Sequence, residues 1–152
     1  MNCFRDAYQQ AIIRNAKAFA RALRDAGLQV AGDPAISFTE THQVIVNVEY
    51  AKAVEAARRL EESNIICNYQ AAPDEEGFTA AGALRLGVQE MTRFGMGPED
   101  FRTLAQYIHD VVVGGRLVRE EVTAFRKRFL TMRYCFAEDM FTDLMKKLHR
   151  LI

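Results

Sequence analysis

The chain has 152 residues, 49% of them hydrophobic and 26% charged, with 20 Lys and Arg balanced by 20 Asp and Glu. These figures describe an ordinary globular domain, able to bury roughly 70% of the surface its unfolded form exposes. They exclude a disordered segment and a disulfide-dense secreted scaffold, and the zero net charge argues against a dedicated nucleic-acid binder, which carries a basic excess.

Apolar runs are short, so no membrane span is expected, and the N-terminus lacks the apolar core of a secretory signal. Cys3, Cys67 and Cys135 are far apart and odd in number, a pattern that suits free thiols in a reducing cytoplasm. His42, His109 and His149 are equally scattered, and no metal site is expected.

In chain order, residues 3–27 read as one long helix. Phe4, Tyr8, Ala11, Ile12, Phe19 and Leu23 recur mostly at three- and four-residue steps, and Gly27 is a natural stop. A short strand follows at 28–30, then turn chemistry at Gly32-Asp33-Pro34. Residues 43–48 alternate well enough for a strand buried on at least one face, although Ile45 breaks strict alternation. Residues 51–63 form a short amphipathic helix, and 65–68 another strand. The stretch 71–82, with Pro73, Gly77 and Gly82, is a loop long enough for a functional role. A strand at 83–87 leads through a turn at Gly95 and Gly97 into a helix at 98–113, with Pro98 at its first position. Two more helices are expected at 119–132 and 137–151.

This order predicts an α/β two-layer sandwich: a small, mostly antiparallel sheet packed with helices. Its parts are a long N-terminal helix at 1–27, an α/β body at 28–115 and a helical extension at 116–152. The extension holds nine Lys and Arg against five Asp and Glu, a modest excess that suits a solvated face.

Arg85 stands out among the candidate functional residues. It sits in Leu84-Arg85-Leu86-Gly87, a strand pattern with apolar neighbours, and a strand arginine is well suited to a bidentate pair with a carboxylate. The plainer reading is a surface ion pair. His42, just before a strand, reads as a hydrogen-bonded structural residue at least as well as a catalyst. Neither Ser37 nor Ser63 lies in a nucleophile elbow, Gly114-Gly115-Arg116 is not a phosphate loop, and all five lysines fall on polar helix faces, unlike a desolvated Schiff-base lysine. The Phe and Met residues near the C-terminus read as core or dimer surface. The residues thus offer a binding arginine without catalytic machinery.

Three segments carry a resemblance. Tyr8-Gln9-Gln10-Ala11-Ile12-Ile13-Arg14-Asn15-Ala16-Lys17-Ala18-Phe19-Ala20, Thr41-His42-Gln43-Val44-Ile45-Val46-Asn47-Val48, and Leu84-Arg85-Leu86-Gly87 followed by Thr92-Arg93 and Gly95-Met96-Gly97 stand in order at plausible spacing. With Ile65-Ile66-Cys67-Asn68, they resemble the C-terminal part of the serine hydroxymethyltransferases, pyridoxal-phosphate (PLP) enzymes of the aspartate-aminotransferase fold. The resemblance implies that Arg85 grips the α-carboxylate of a serine- or glycine-like substrate, with His42 and Asn68 as further binding candidates and no catalytic residue in this chain. It implies that PLP, and in the folate-using members tetrahydrofolate, belongs to a longer parent whose large domain holds the Schiff-base lysine. The chain by itself is then inert and binds no cofactor. Its expected partners are that large domain and, as a cytoplasmic homodimer, a second copy; neither nucleic acid nor membrane is expected. The first helix is expected to turn an apolar stripe toward the large domain.

The sequence departs from the family pattern after Gly87 (Val88-Gln89-Glu90) and after Asn68 (Tyr69-Gln70-Ala71-Ala72-Pro73). The second departure borders the folate site implied by the resemblance. A related PLP aldolase or transaldolase acting on β-hydroxy-amino acids without folate is therefore the alternative, as is a stand-alone amino-acid-binding or interaction module.

Overall fold

A computed structural model describes residues 4–73, 81–136 and 138–150. Among these residues it contains six α-helices, one short 3-10 turn at Pro34–Ile36 and a four-stranded sheet. The helices are α1 (Arg5–Asp25), α2 (Ala53–Glu62), α3 (Gln89–Arg93), α4 (Pro98–Val112), α5 (Arg119–Arg126) and α6 (Glu138–His149). The strands are β1 (Gln29–Val30), β2 (Gln43–Asn47), β3 (Asn68–Gln70) and β4 (Ala83–Gly87).

The strand order is β1-β2-β4-β3, and each neighbouring pair runs antiparallel. Alternation along the strands turns Val44, Val46, Leu84 and Leu86 to one face, where all four are buried. That face carries the helices. α1 and α2 lie against the strands and α4 packs along α1 and α2. Ala16, Phe19, Ala20 and Leu23 of α1 join Leu60 of α2, Phe101, Ala105, Ile108 and Val111 of α4, and Val118, Val122 and Phe125 around α5 in one core. The expected two-layer α/β arrangement is the one observed. The apolar stripe of α1, however, is buried within this chain rather than turned outward, with Phe19 against Phe101 at 5.2 Å between ring centroids.

Three helices end in the same way. Gly27 (φ 95°), Asn64 (φ 61°) and Gly95 (φ 96°) take left-handed conformations one residue past the cap. The next amide then reaches back, from Leu28 to the Leu23 carbonyl at 3.0 Å, Ile65 to Leu60 at 2.8 Å and Met96 to Met91 at 3.0 Å. This closure satisfies carbonyls that a helix end would otherwise orphan, and sets an apolar residue after the turn against one inside the helix. It also corrects two expectations. Ile65 belongs to the end of α2 and not to a strand, so β3 begins only at Asn68. Residues 89–93 form α3, five residues too short to show a helical period in sequence. The last two helices are shorter than expected, α5 stopping at Arg126. The expected loop at 71–82 falls largely on residues 74–80, outside the described residues, as do Cys3 and Leu151.

Candidate functional site

The second face of the sheet carries Gln43, Ile45, Asn47 and Arg85, all half-buried. Arg85 is at the centre of β4. The register sets it opposite Ile45 on β2 and opposite Asn68 on β3, so the three side chains form a row across the sheet. Neighbours in such a row stand about 5 Å apart at Cβ, within reach of one small ligand. Asn47 lies two residues along β2 from Ile45 on the same face. Its Oδ1 is buried without a hydrogen-bond donor among the described residues.

Several arginines elsewhere in the chain are paired with acids: Arg24 with Asp25, Arg58 with Glu55 and Glu62, Arg102 with Glu99, Arg116 with Asp110 and Glu121, and Arg128 with Asp100. Arg85 has neither an ion pair nor a side-chain hydrogen bond among the described residues. A planar, permanently charged fork of donors, partly withdrawn from water and without an anion among the described residues, has the chemistry to pair with a carboxylate. Apolar Ile45 on one side lowers the local dielectric, and the Asn68 amide on the other can add a donor.

The other candidates are distributed differently. Arg85 and Asn68 are brought together. His42 is not: it precedes β2, its carbonyl accepts from Val88 N at 3.1 Å, and its surroundings are Gln9, Ile12, Ile13, Thr41 and Gln89, on the helical side of the sheet. The larger cavity, about 620 Å³, also lies on the helical side, among Phe19, Leu86, Met91, Phe101, Phe125 and Phe129, and is separate from Arg85. Burial pushes the Cys67 thiol up to about 11, so it is protonated and unreactive near neutral pH.

None of the five lysines suits covalent attachment of PLP. Lys17 faces Glu40 at 4.0 Å on the surface, and Lys52, Lys127, Lys146 and Lys147 are exposed. A Schiff-base lysine needs a desolvated setting that depresses its pKa. The residues present here therefore do not fit the anchoring end of that cofactor.

Two residues not singled out from sequence hold the site's frame. Asn15, buried on α1, donates Nδ2 to Thr92 Oγ1 at 3.0 Å and to the Met96 carbonyl at 2.9 Å, while Thr92 Oγ1 donates to the Val88 carbonyl at 2.7 Å. This network fixes α3 and the Gly95 turn directly behind the end of β4. A polar residue inside the apolar stripe of α1 was the available signal.

The family model for serine hydroxymethyltransferase matches residues 2–108. A serine hydroxymethyltransferase from Staphylothermus marinus is 42% identical over 142 residues, covering 90% of this chain and 32% of that protein. The enzyme of the same name from Sulfolobus acidocaldarius is 38% identical over 158 residues, covering 100% of this chain and 36% of that protein. The chain thus spans about a third of the length of the curated relatives it matches. Among solved structures, the L-threonine transaldolase from Pseudomonas fluorescens in its internal aldimine state superposes with a TM-score of 0.83 at 29% identity, over 95% of this chain and 34% of that one. With the family match running unbroken through α1, the sheet and the Arg85 strand, the chain belongs to the serine hydroxymethyltransferase family.

Proposed function

We propose that this chain is the C-terminal, substrate-gripping domain of a PLP-dependent serine/glycine hydroxymethyltransferase, a cytoplasmic homodimer when complete. The observation that carries the reading is Arg85: half-buried at the centre of the sheet, in register with Asn68, and without an acid partner among the described residues. In the complete enzyme PLP, held by the other two-thirds of the polypeptide, supplies the electron sink for bond cleavage at the substrate's Cα. The work of this chain is binding and orientation. Arg85 takes the α-carboxylate through two parallel N–H···O bonds, and a ligand held at two points cannot rotate about the bond that must be aligned for cleavage. Asn68 adds a hydrogen bond from β3. By itself the domain carries no lysine suited to the cofactor and is inert.

A second reading has support of its own. The structural similarity to an L-threonine transaldolase and the Tyr69-Gln70-Ala71-Ala72-Pro73 departure together favour a folate-independent enzyme acting on β-hydroxy-amino acids. In that reading Arg85 has the same role and only the acceptor of the one-carbon or aldehyde unit changes.

The test is to isolate the native polypeptide with antibody raised to this chain. The proposal expects a species about three times as long, carrying bound PLP and cleaving serine or threonine. Dependence of serine cleavage on tetrahydrofolate separates the two readings. A native species of 152 residues that binds free serine or glycine without PLP would replace both with an amino-acid-binding module.

A further inference from the structure

We infer that the cavity on the helical side of the sheet is a binding site for an apolar amino acid such as leucine. The inference does not rest on the functional reading above, because the cavity and Arg85 lie on opposite faces of the sheet. The floor of the cavity is core: Phe19, Leu86, Met96, Phe101 and Ile108 line it and are all buried. Its volume of about 620 Å³ falls in the range of pockets that hold small molecules, and exceeds the packing defects of an ordinary core.

The opening is apolar and its wall is fixed. Ile66, 87% exposed, and Leu130, 71% exposed, stand in water on its rim, the kind of exposure that marks an interaction surface. Along the wall, the Phe125 and Phe129 rings meet edge-on at 5.2 Å. Arg126 lies over the Phe94 ring at 4.8 Å, and its guanidinium donates to the Phe129 carbonyl. The cleft thus stands open without rearrangement, which keeps the cost of binding low.

Two charges at the rim choose the occupant. Glu90 on α3 and Lys127 at the end of α5 both line the opening and are exposed. Neither forms an ion pair, with the other or with a third group, among the described residues. Arg126, the remaining charged residue of the lining, is engaged by Phe94 and Phe129. One uncommitted anion and one uncommitted cation above an apolar floor complement a zwitterion with an apolar tail. Its ammonium goes to Glu90, its carboxylate to Lys127 and its side chain into the cleft. A fatty acid would satisfy Lys127 and be repelled by Glu90; an alkylamine would do the reverse. Serine and glycine have no apolar side chain to bury, so the site passes them by.

Amide chemical shifts of the isotope-labelled 152-residue chain, followed through a titration, test the assignment. Leucine should bind saturably with a dissociation constant on the order of 1 mM, the range open to so small a ligand. It should move the amides of Met91, Met96 and Val122 and leave those of Ile45 and Arg85 in place. Isocaproate, which is leucine without the ammonium, and isopentylamine, which lacks the carboxylate, should each bind roughly three- to tenfold more weakly. Glu90→Gln and Lys127→Gln should each weaken leucine by a similar factor with an unchanged melting temperature, since both side chains are exposed. Leucine that never saturates, shifts centred on the Arg85 strand, or either truncated ligand binding as tightly as leucine would overturn the proposal. So would leucine binding that neither substitution weakens.

Discussion

Asn15 and Thr92, 77 residues apart in sequence, share a buried hydrogen bond of 3.0 Å that ties the long first helix to the short helix behind the Arg85 strand. The pair is the structural reason that one turn of helix can hold its place. α3 is too short to be stable by itself, and its position is set by Asn15 reaching both Thr92 and the Met96 carbonyl.

Replacing Asn15 with Ala strands the Met96 carbonyl and one partner of Thr92 in the core. A buried acceptor left without its donor costs roughly 1–3 kcal/mol, so N15A should lower the urea midpoint by an amount equal to about 2 kcal/mol. The double variant N15A/T92V should cost clearly less than the two single losses added together, since the two groups serve each other. Additive losses would show that the two side chains act independently.

The left-handed Asn64 makes a separate prediction about how α2 hands over to β3. Asn64→Val forces a β-branched residue into φ 61°, and should destabilise the domain by about 1–2 kcal/mol. Asn64→Gly meets no such strain and should cost less than half as much, although it loses the bond from Asn64 Nδ2 to Thr123 Oγ1 at 2.9 Å. Equal losses in thermal melts would mean that the side-chain bond, not the backbone, matters at this turn.

Acid sensitivity should concentrate at the end of α4. Asp110 is held below the usual carboxylate range, first by its hydrogen bond with the Arg116 guanidinium at 2.7 Å and then by the Gln106 amide at 2.9 Å. A carboxyl lowered on folding stabilises the native state above its unfolded pKa, and that contribution is lost as pH falls through the folded one. The stability gap between wild type and Asp110→Asn should therefore be present at pH 6 and shrink steadily as the solution is acidified through and below the ordinary carboxylate range. A gap independent of pH would assign the effect to packing.

The sequence was most informative where pattern and backbone agree. Gly27 marked the end of α1, Pro98 opened α4, and Val44, Val46, Leu84 and Leu86 alternated as their buried face requires. It was least informative where an apolar residue serves a helix end. Ile65-Ile66-Cys67 has the composition of a strand, yet Ile65 closes the turn after Asn64 and Ile66 is 87% exposed. Arg85 and Asn68 could each be named from the chain, but their alignment in one row depends on the register in which β3 pairs antiparallel with β4, which the long connection between the two strands leaves unspecified in the sequence. His42 was named beside them on the family resemblance of its strand, and the fold places it near Gln9, Ile12 and Ile13 of α1, on the face of the sheet opposite Arg85. Asn47 and Asn15 lie in the segments that carry the family resemblance, but nothing local beyond a polar residue within an apolar run marks their buried positions.

Arg85 is the residue on which the functional account stands, and substituting it in the complete native enzyme is the most direct test. Lysine keeps the charge but cannot offer two parallel donors. The loss of a paired, partly desolvated contact is worth about 3 kcal/mol, or roughly a hundredfold. The account predicts that Arg85→Lys raises the serine KM and lowers kcat/KM by about that factor, that Arg85→Ala does more, and that PLP remains bound in both. Wild-type values of KM and kcat for Arg85→Ala would contradict it and remove Arg85 from the substrate site.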